Sequence, residues 1–269
     1  MFSSKIKLGL GLIGIGREWG YVPSSIPNES DTLNFLIDSY KLNIDFFDTA
    51  PAYGLSEKRF GKFLDSLNTI QKKNITIATK FGENWNIQNN DTHVDHSYNA
   101  LCNSIDQSLG RLGRVDILQL HKSTLQVLMS EDLKRAIDYA KKKGIKIFGA
   151  SISDIKSGFF VCESDIFSVI QLPYNIKNTS FEAVIDLAIQ KNKYILINRP
   201  FGMGNILYEN TNNNSDKISC QVDAYKFILR KQFHGVILSG TKSVQHLQEN
   251  IKSFQIALKQ ITDESVIIK

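Results

Sequence analysis

Short apolar runs alternate with amphipathic stretches along almost the whole chain. Strands are expected at 6–15, 44–47, 75–78, 116–120, 146–149, 167–172, 194–198 and 235–238, where apolar residues cluster between turn-forming ones. Helices are expected at about 30–42, 56–67, 97–109, 132–143, after Ser153, and at 181–191, 218–230 and 244–258. The first shows the pattern well: Leu33, Leu36, Ile37 and Tyr40 recur at helical spacing behind Asp31.

That order gives eight strand–helix units at a spacing of roughly 25 to 40 residues. Parallel strands need crossover helices, and eight such units close into a single-domain (β/α)8 barrel over 1–269. A doubly wound open sheet is the other architecture that alternation permits. The first strand carries Gly9, Gly11, Gly14 and Gly16, but no acidic residue about 20 residues further on ends a second strand in the ribose-binding manner that a dinucleotide fingerprint requires. Segments 82–96 and 202–216 interrupt the alternation with polar, asparagine-rich sequence, including Asn212, Asn213 and Asn214. Both follow strands, so both are expected as loops on the C-terminal face of the barrel, where active sites form.

Composition narrows the class. The 269 residues are 42% hydrophobic and 22% charged, which suits a globular protein with a large core. No run of about 18 apolar residues is present, and 1–20 lacks the apolar core and cleavage site of a signal peptide, so a cytoplasmic protein is expected. Cys102, Cys162 and Cys220 are scattered without CxxC spacing, and the five histidines show no HxxxH or HExxH pattern, so no metal site is expected. The net charge of +5 is spread along the chain; the one lysine triple, Lys141 to Lys143, ends a predicted helix and complements its dipole. Neither a nucleic acid nor a membrane is expected as a partner, and the oligomeric state is left open.

Chemistry concentrates at strand ends. Asp48 ends the second strand, Tyr53 follows in its loop, Lys80 lies just past the third and His121 just past the fourth. Singly, each has an ordinary explanation as a cap, a packing aromatic or a solvated polar group. Together, at the mouths of adjacent strands, they make a proton-donor array. A tyrosine with its ordinary pKa of about 10 exchanges protons poorly near neutrality. A neighbouring ammonium is expected to lower that value, with Asp48 holding Lys80 and a neutral His121 donating to a carbonyl oxygen.

Phe47-Asp48-Thr49-Ala50 through Tyr53-Gly54 with Glu57 and Gly61, Thr79-Lys80-Phe81-Gly82, and Ser108-Leu109, Leu112-Gly113 and Asp116 to His121 resemble the motifs of the aldo-keto reductase superfamily. The resemblance runs from about Leu8 to Phe254. It implies a barrel that binds NADPH, or less readily NADH, in an extended form and acts on a small carbonyl or sugar substrate. It also places Ser151 and Gln171 at the nicotinamide carboxamide and Arg199, or the turn it begins, against the cofactor. Gly240, Thr241, Lys242 and His246 would receive the adenosine 2′-phosphate, with Glu249 and Asn250 on the adenine. Lys242 favours NADPH. The chain ends soon after the eighth helix, so an open pocket without a long C-terminal cap is expected, with Trp19, Trp85 and Phe201 as apolar walls. A non-catalytic NADPH-sensing partner, similar to potassium-channel β subunits, and a barrel lyase or isomerase using the same phenol and amine remain as alternatives.

Overall fold

Strand after strand, the chain places apolar side chains outward against helices and a second apolar set inward, and this double burial closes the sheet. The computed structural model describes residues 6–21, 24–209 and 214–267. In chain order it contains β1 (Lys7–Gly11), α1 (Glu29–Lys41), β2 (Phe46–Asp48), α2 (Ser56–Asp65), α3 (Thr69–Lys73), β3 (Thr76–Phe81), β4 (Glu83–Asn86), β5 (Asp91–Val94) and α4 (Tyr98–Leu112). Then come β6 (Ile117–Ser123), α5 (Leu125–Leu128), α6 (Glu131–Lys142), β7 (Ile147–Ile152), α7 (Ile155–Glu163), β8 (Val169–Pro173) and α8 (Glu182–Gln190). The chain finishes with β9 (Tyr194–Asn198), α9 (Asn205–Glu209), α10 (Asn214–Leu229), β10 (Gly235–Gly240) and α11 (Val244–Ile267).

Eight of these strands form a closed parallel barrel in the order β1-β10-β9-β8-β7-β6-β3-β2. Leu8 pairs with Ile237 at the closing seam, and Leu10 with Phe47 on the other side. Phe47, Ile77, Leu118, Phe148, Ile170, Ile195 and Ile237 belong to the large core shared with the helices. Phe46, Ala78, Ile117, Val169, Leu196 and Val236 form a separate buried cluster that fills the barrel itself. Period-two alternation assigns the two sets to opposite faces.

Helix starts are capped by side chains that accept from first-turn amides. Asn28 accepts from the Asp31 amide at 2.8 Å, and Asp154 accepts from the Ser157 amide at 2.8 Å. Each such cap is worth about 1 kcal/mol.

Two expectations about loops change. Segment 82–96 contains the antiparallel hairpin of β4 and β5, with Glu83 opposite Val94 and Trp85 opposite Thr92. Its turn is made by Asn86, whose Oδ1 accepts from the Gln88 and Asn89 amides, and by Asn90 with φ of 50°. Segment 202–216 holds a 3-10 turn at Gly202–Gly204, α9 and the start of α10. Residues 210–213, with Asn212 and Asn213, lie outside the described residues, while Asn214 opens α10. Among the described residues no helix is long and apolar enough to cross a membrane.

Candidate active site

The inward face of each strand changes character at its C-terminal end. Phe46 gives way two residues on to Asp48, Ala78 to Lys80, and Ile117 to Gln119 and then His121. On the other side, Gly149 gives way to Ser151, Val169 to Gln171 and Leu196 to Asn198. The rule of alternation therefore raises a ring of polar groups above an apolar floor. They open into a cavity of about 1020 Å³ lined by Asp48, Tyr53, His121, Ser151, Gln171 and Asn198, among others.

At the base of this cavity Lys80 Nζ lies 2.6 Å from Asp48 Oδ2 and donates to the Thr49 carbonyl at 3.0 Å. Gln119 Nε2 donates to Asp48 Oδ1 at 3.1 Å, so both oxygens of this carboxylate are engaged. The ammonium sits 4.8 Å from the Tyr53 ring centroid. Burial works against the Lys80 charge, but Asp48 and Tyr53 outweigh it and raise its pKa. A fully buried charge survives here because a paired and hydrogen-bonded one costs far less than a bare one.

Tyr53 reverses the expected direction. Burial raises its pKa above the ordinary phenol value, and the attraction of Lys80 offsets that only in part. The phenol is partly accessible from the cavity and enclosed by protein elsewhere. Desolvation of a phenolate at this depth outweighs one ammonium whose charge is already shared with Asp48.

His121 stands edge-on to Tyr53, with ring centroids 6.1 Å apart and an interplanar angle of 83°. Burial lowers its pKa, so the ring is neutral at pH 7. Its Nδ1 is 2.8 Å from Glu83 Oε2, close but too misaligned for a good hydrogen bond.

The tyrosine turn is held by two glycines. Gly16 O accepts from the Leu55 amide at 3.1 Å, and Gly54 adopts φ of 62°. A Cβ on Gly16 would lie 1.8 Å from the Tyr53 carbonyl oxygen. Behind the turn, buried Glu57 accepts from Thr79 at 2.6 Å and Ser108 at 2.8 Å, and pairs with Arg111 at 2.9 Å. This network ties α2 to β3 and α4, and so fixes the wall that carries Lys80.

The cavity presents unpaired hydrogen-bond acceptors of the kind a carboxamide NH2 group would meet. Gln171 Oε1 and Asn198 Oδ1 are buried with no protein partner among the described residues, and Ser151 lies beside them. Such orphaned groups call for a polar ligand. Gly240, Thr241, Lys242, His246 and Asn250 line the far end of the same cavity, while Glu249 does not. Several of these side chains already have partners. Lys242 Nζ donates to the Ser24 carbonyl at 3.1 Å and to the Ser25 carbonyl. Glu249 pairs with Lys217 at 2.7 Å. Asn250 Nδ2 donates to Ser239 Oγ at 2.6 Å and its Oδ1 accepts from Gln221 Nε2 at 3.1 Å, so both ends of its amide already have one protein partner. Ser243 caps α11 through the His246 amide, leaving the first amides of that helix turned outward.

Trp19 and Phe201 line the cavity as expected, but Trp85 does not. Its ring stacks on the Arg17 guanidinium at 4.9 Å instead. Arg199 has φ of 54° and lies 5.7 Å from the Trp19 ring. Sequence reasoning missed Glu83, Gln119 and Arg17. Gln119 was visible as a polar residue inside a buried strand; Glu83 and Arg17 depend on a hairpin whose fold carries no apolar alternation.

The Aldo/keto reductase family model matches residues 7–220. An L-galactose dehydrogenase of Arabidopsis thaliana is 33% identical over 144 residues, covering 51% of this chain and 41% of that protein. An aldo-keto reductase of Schizosaccharomyces pombe whose name carries NADP(+) is 24% identical over 206 residues, covering 73% of this chain and 58% of its own. Neither match reaches two thirds of the relative's length. Among solved structures, a Pseudomonas aeruginosa protein described as a candidate aldo-keto reductase superposes with a TM-score of 0.76 at 25% identity, over 96% of this chain and 93% of that one.

Proposed function

Because this chain belongs to the aldo/keto reductase family, we propose that it is a nicotinamide-dependent oxidoreductase that interconverts a small carbonyl compound and its alcohol, with Tyr53 as the proton donor and acceptor. The observation that carries this reading is the Asp48–Lys80 pair buried beneath Tyr53, 4.8 Å from its ring, at the floor of a cavity large enough for a dinucleotide head and a small substrate.

Bound NADPH supplies the hydride. The protein supplies the proton and the geometry. A phenol whose pKa burial has raised is protonated at neutral pH, which is the form that donates to a carbonyl oxygen. Lys80 stabilises the phenolate left behind, and Asp48 and Gln119 keep the ammonium in place. His121 faces the same space and orients the carbonyl oxygen. Ser151, Gln171 and Asn198 would hold the carboxamide group of the nicotinamide. The 240–243 loop with the start of α11 receives the adenosine phosphate, with Lys242 favouring NADPH once its contact to Ser24 is exchanged for the phosphate.

Tyr53→Phe tests the reading. NADPH quenching of protein fluorescence is expected to persist while turnover of an aldehyde and sugar panel is lost. Full activity in the variant would refute the assignment. Binding of NADPH by the wild type without turnover of any carbonyl compound would favour a cofactor-sensing role.

A further inference from the structure

Arg17 is a charged side chain of the cavity to which the proposed chemistry gives no task. It follows Gly16, the residue that clasps the tyrosine turn. Its guanidinium lies over two indoles, 5.4 Å from the Trp19 centroid and 4.9 Å from the Trp85 centroid. Its Nε is buried and unpartnered, and among the described residues it makes no hydrogen bond and no ion pair. Other arginines of the chain are bonded: Arg111 to Glu57, and Arg114 to Asp116 and the Ile75 carbonyl. Arg17 lines the same cavity as Tyr53, close enough for its charge to act on the phenol.

Two features make this a built site rather than a stray surface charge. Contact with two rings restricts the side chain, so less entropy remains to be lost on binding. A guanidinium carries parallel N–H donors in a planar fork, the arrangement that matches a carboxylate. Trp85 reaches Arg17 from the β4–β5 hairpin, so the guanidinium is gripped by two separate segments of the rim. The outward helix amides at the opposite end of the cavity suit the cofactor's phosphate, which leaves Arg17 for the substrate.

We propose that Arg17 binds a carboxylate on the substrate, and therefore that the preferred substrate is an acidic carbonyl or hydroxy compound, such as a sugar acid or a keto or aldehyde acid, rather than a neutral one. The inference rests on the reductase reading and narrows it.

The test compares matched substrates that differ in charge: 4-oxobutanoate with its methyl ester, and glucuronate with glucuronamide. Wild-type protein is expected to prefer the acid by about tenfold or more in kcat/KM, the size of one charge-assisted contact. In Arg17→Met, which keeps an unbranched apolar stem against the rings, the acid-to-neutral ratio is expected to collapse about tenfold, chiefly through KM for the acid. Arg17→Lys, with a charge but no fork, is expected to fall between. The Kd for NADPH is expected to stay within about twofold, as a side chain off the cofactor requires.

Equal turnover of acid and neutral partners by the wild type overturns the inference and leaves the reductase reading intact. So does an equal fall for both partners in Arg17→Met. A rise of about tenfold in the NADPH Kd also overturns it, since the anion held would then be the cofactor's own phosphate. Turnover of no carbonyl compound at all overturns the reductase reading, and this inference with it.

Discussion

Replacing Glu83 with glutamine removes one buried negative charge at nearly constant shape. The carboxylate is 3% exposed, with Oε2 2.8 Å from His121 Nδ1 and Oε1 3.9 Å from Lys122 Nζ. Burial pushes its pKa up, but His121, Thr92 and Lys122 outweigh burial and bring it from 4.5 down to about 2. That difference corresponds to about 3 kcal/mol of native-state preference for the charged form. Between those two values the unfolded chain binds the proton more tightly than the native protein. The stabilisation is therefore complete at pH 7 and is lost as pH falls from about 4.5 through about 2. Glu83→Gln lacks it at every pH. The expected deficit is up to about 3 kcal/mol at pH 7, a fall in Tm of roughly 5–10 °C for a chain of this size, narrowing to about 1 kcal/mol at pH 3. Urea denaturation of both proteins from pH 7 to pH 3, followed by tryptophan fluorescence, measures the gap directly. A gap that is the same at pH 3 as at pH 7, or absent at pH 7, would show that Glu83 is not held charged by His121 and Lys122.

Lys80→Met leaves Asp48 buried without its cation and is expected to cost about 3–5 kcal/mol as well as turnover, read by thermal unfolding beside an activity assay. Gly16→Ala places a methyl group on the Tyr53 carbonyl and must displace the turn; kcat should fall more than tenfold, as about 1 Å of misplacement costs, with KM for the cofactor little changed. Because burial raises the Tyr53 pKa, the reduction rate should stay level through neutral pH and fall only above the ordinary phenol value of about 10, while the reverse oxidation gains rate with pH; parallel pH profiles check both arms. Lys242→Met should weaken NADPH about tenfold while NADH stays within about twofold, as fluorescence titration of the two cofactors will read.

The barrel was legible because its strands carry their own record. Tyr194–Asn198 has the predicted bounds, since four apolar residues and an asparagine between lysines and Arg-Pro admit little else. Strand ends elsewhere run further than periodicity shows: β3 continues through Lys80 to Phe81 and β6 through His121 to Ser123. Polar residues there are paired by the barrel rather than by their own hydrophobicity. The hairpin of β4 and β5 was hidden for the same reason, its stability lying in Asn86 turn bonds and in packing against the tyrosine turn. The position of Tyr53, Lys80, Asp48 and His121 at one mouth followed from strand ends alone. The sign of the tyrosine shift did not, because desolvation depends on how deep the phenol lies, and depth is a property of the closed barrel. Partners that span the chain were equally invisible. Lys242 reaches carbonyls 217 and 218 residues away, and Asn250 is satisfied by β10 and α10.

Charge in the cavity is sorted by depth, and that sorting links the floor to the rim. At the bottom, Asp48 answers Lys80, so the anion beneath Tyr53 is spent on a neighbour fixed within the barrel, while Glu83 sits against the neutral His121 ring and 3.9 Å from Lys122. Higher up, Arg17 and Arg199 flank Trp19, Lys122 and Lys242 are exposed or partly so, and neither arginine has an ion pair among the described residues. An anion entering from solvent therefore meets an attractive rim before a neutralised floor, and low-dielectric walls concentrate that attraction. Dinucleotide phosphate and an acidic substrate satisfy this pattern from opposite ends, while a neutral substrate leaves Arg17 desolvated and unpaired. The same asymmetry protects the proton chemistry: an unmatched cation beside Tyr53 opposes the rise in its pKa, and a bound carboxylate would quench that opposition and keep the phenol protonated until a hydride arrives.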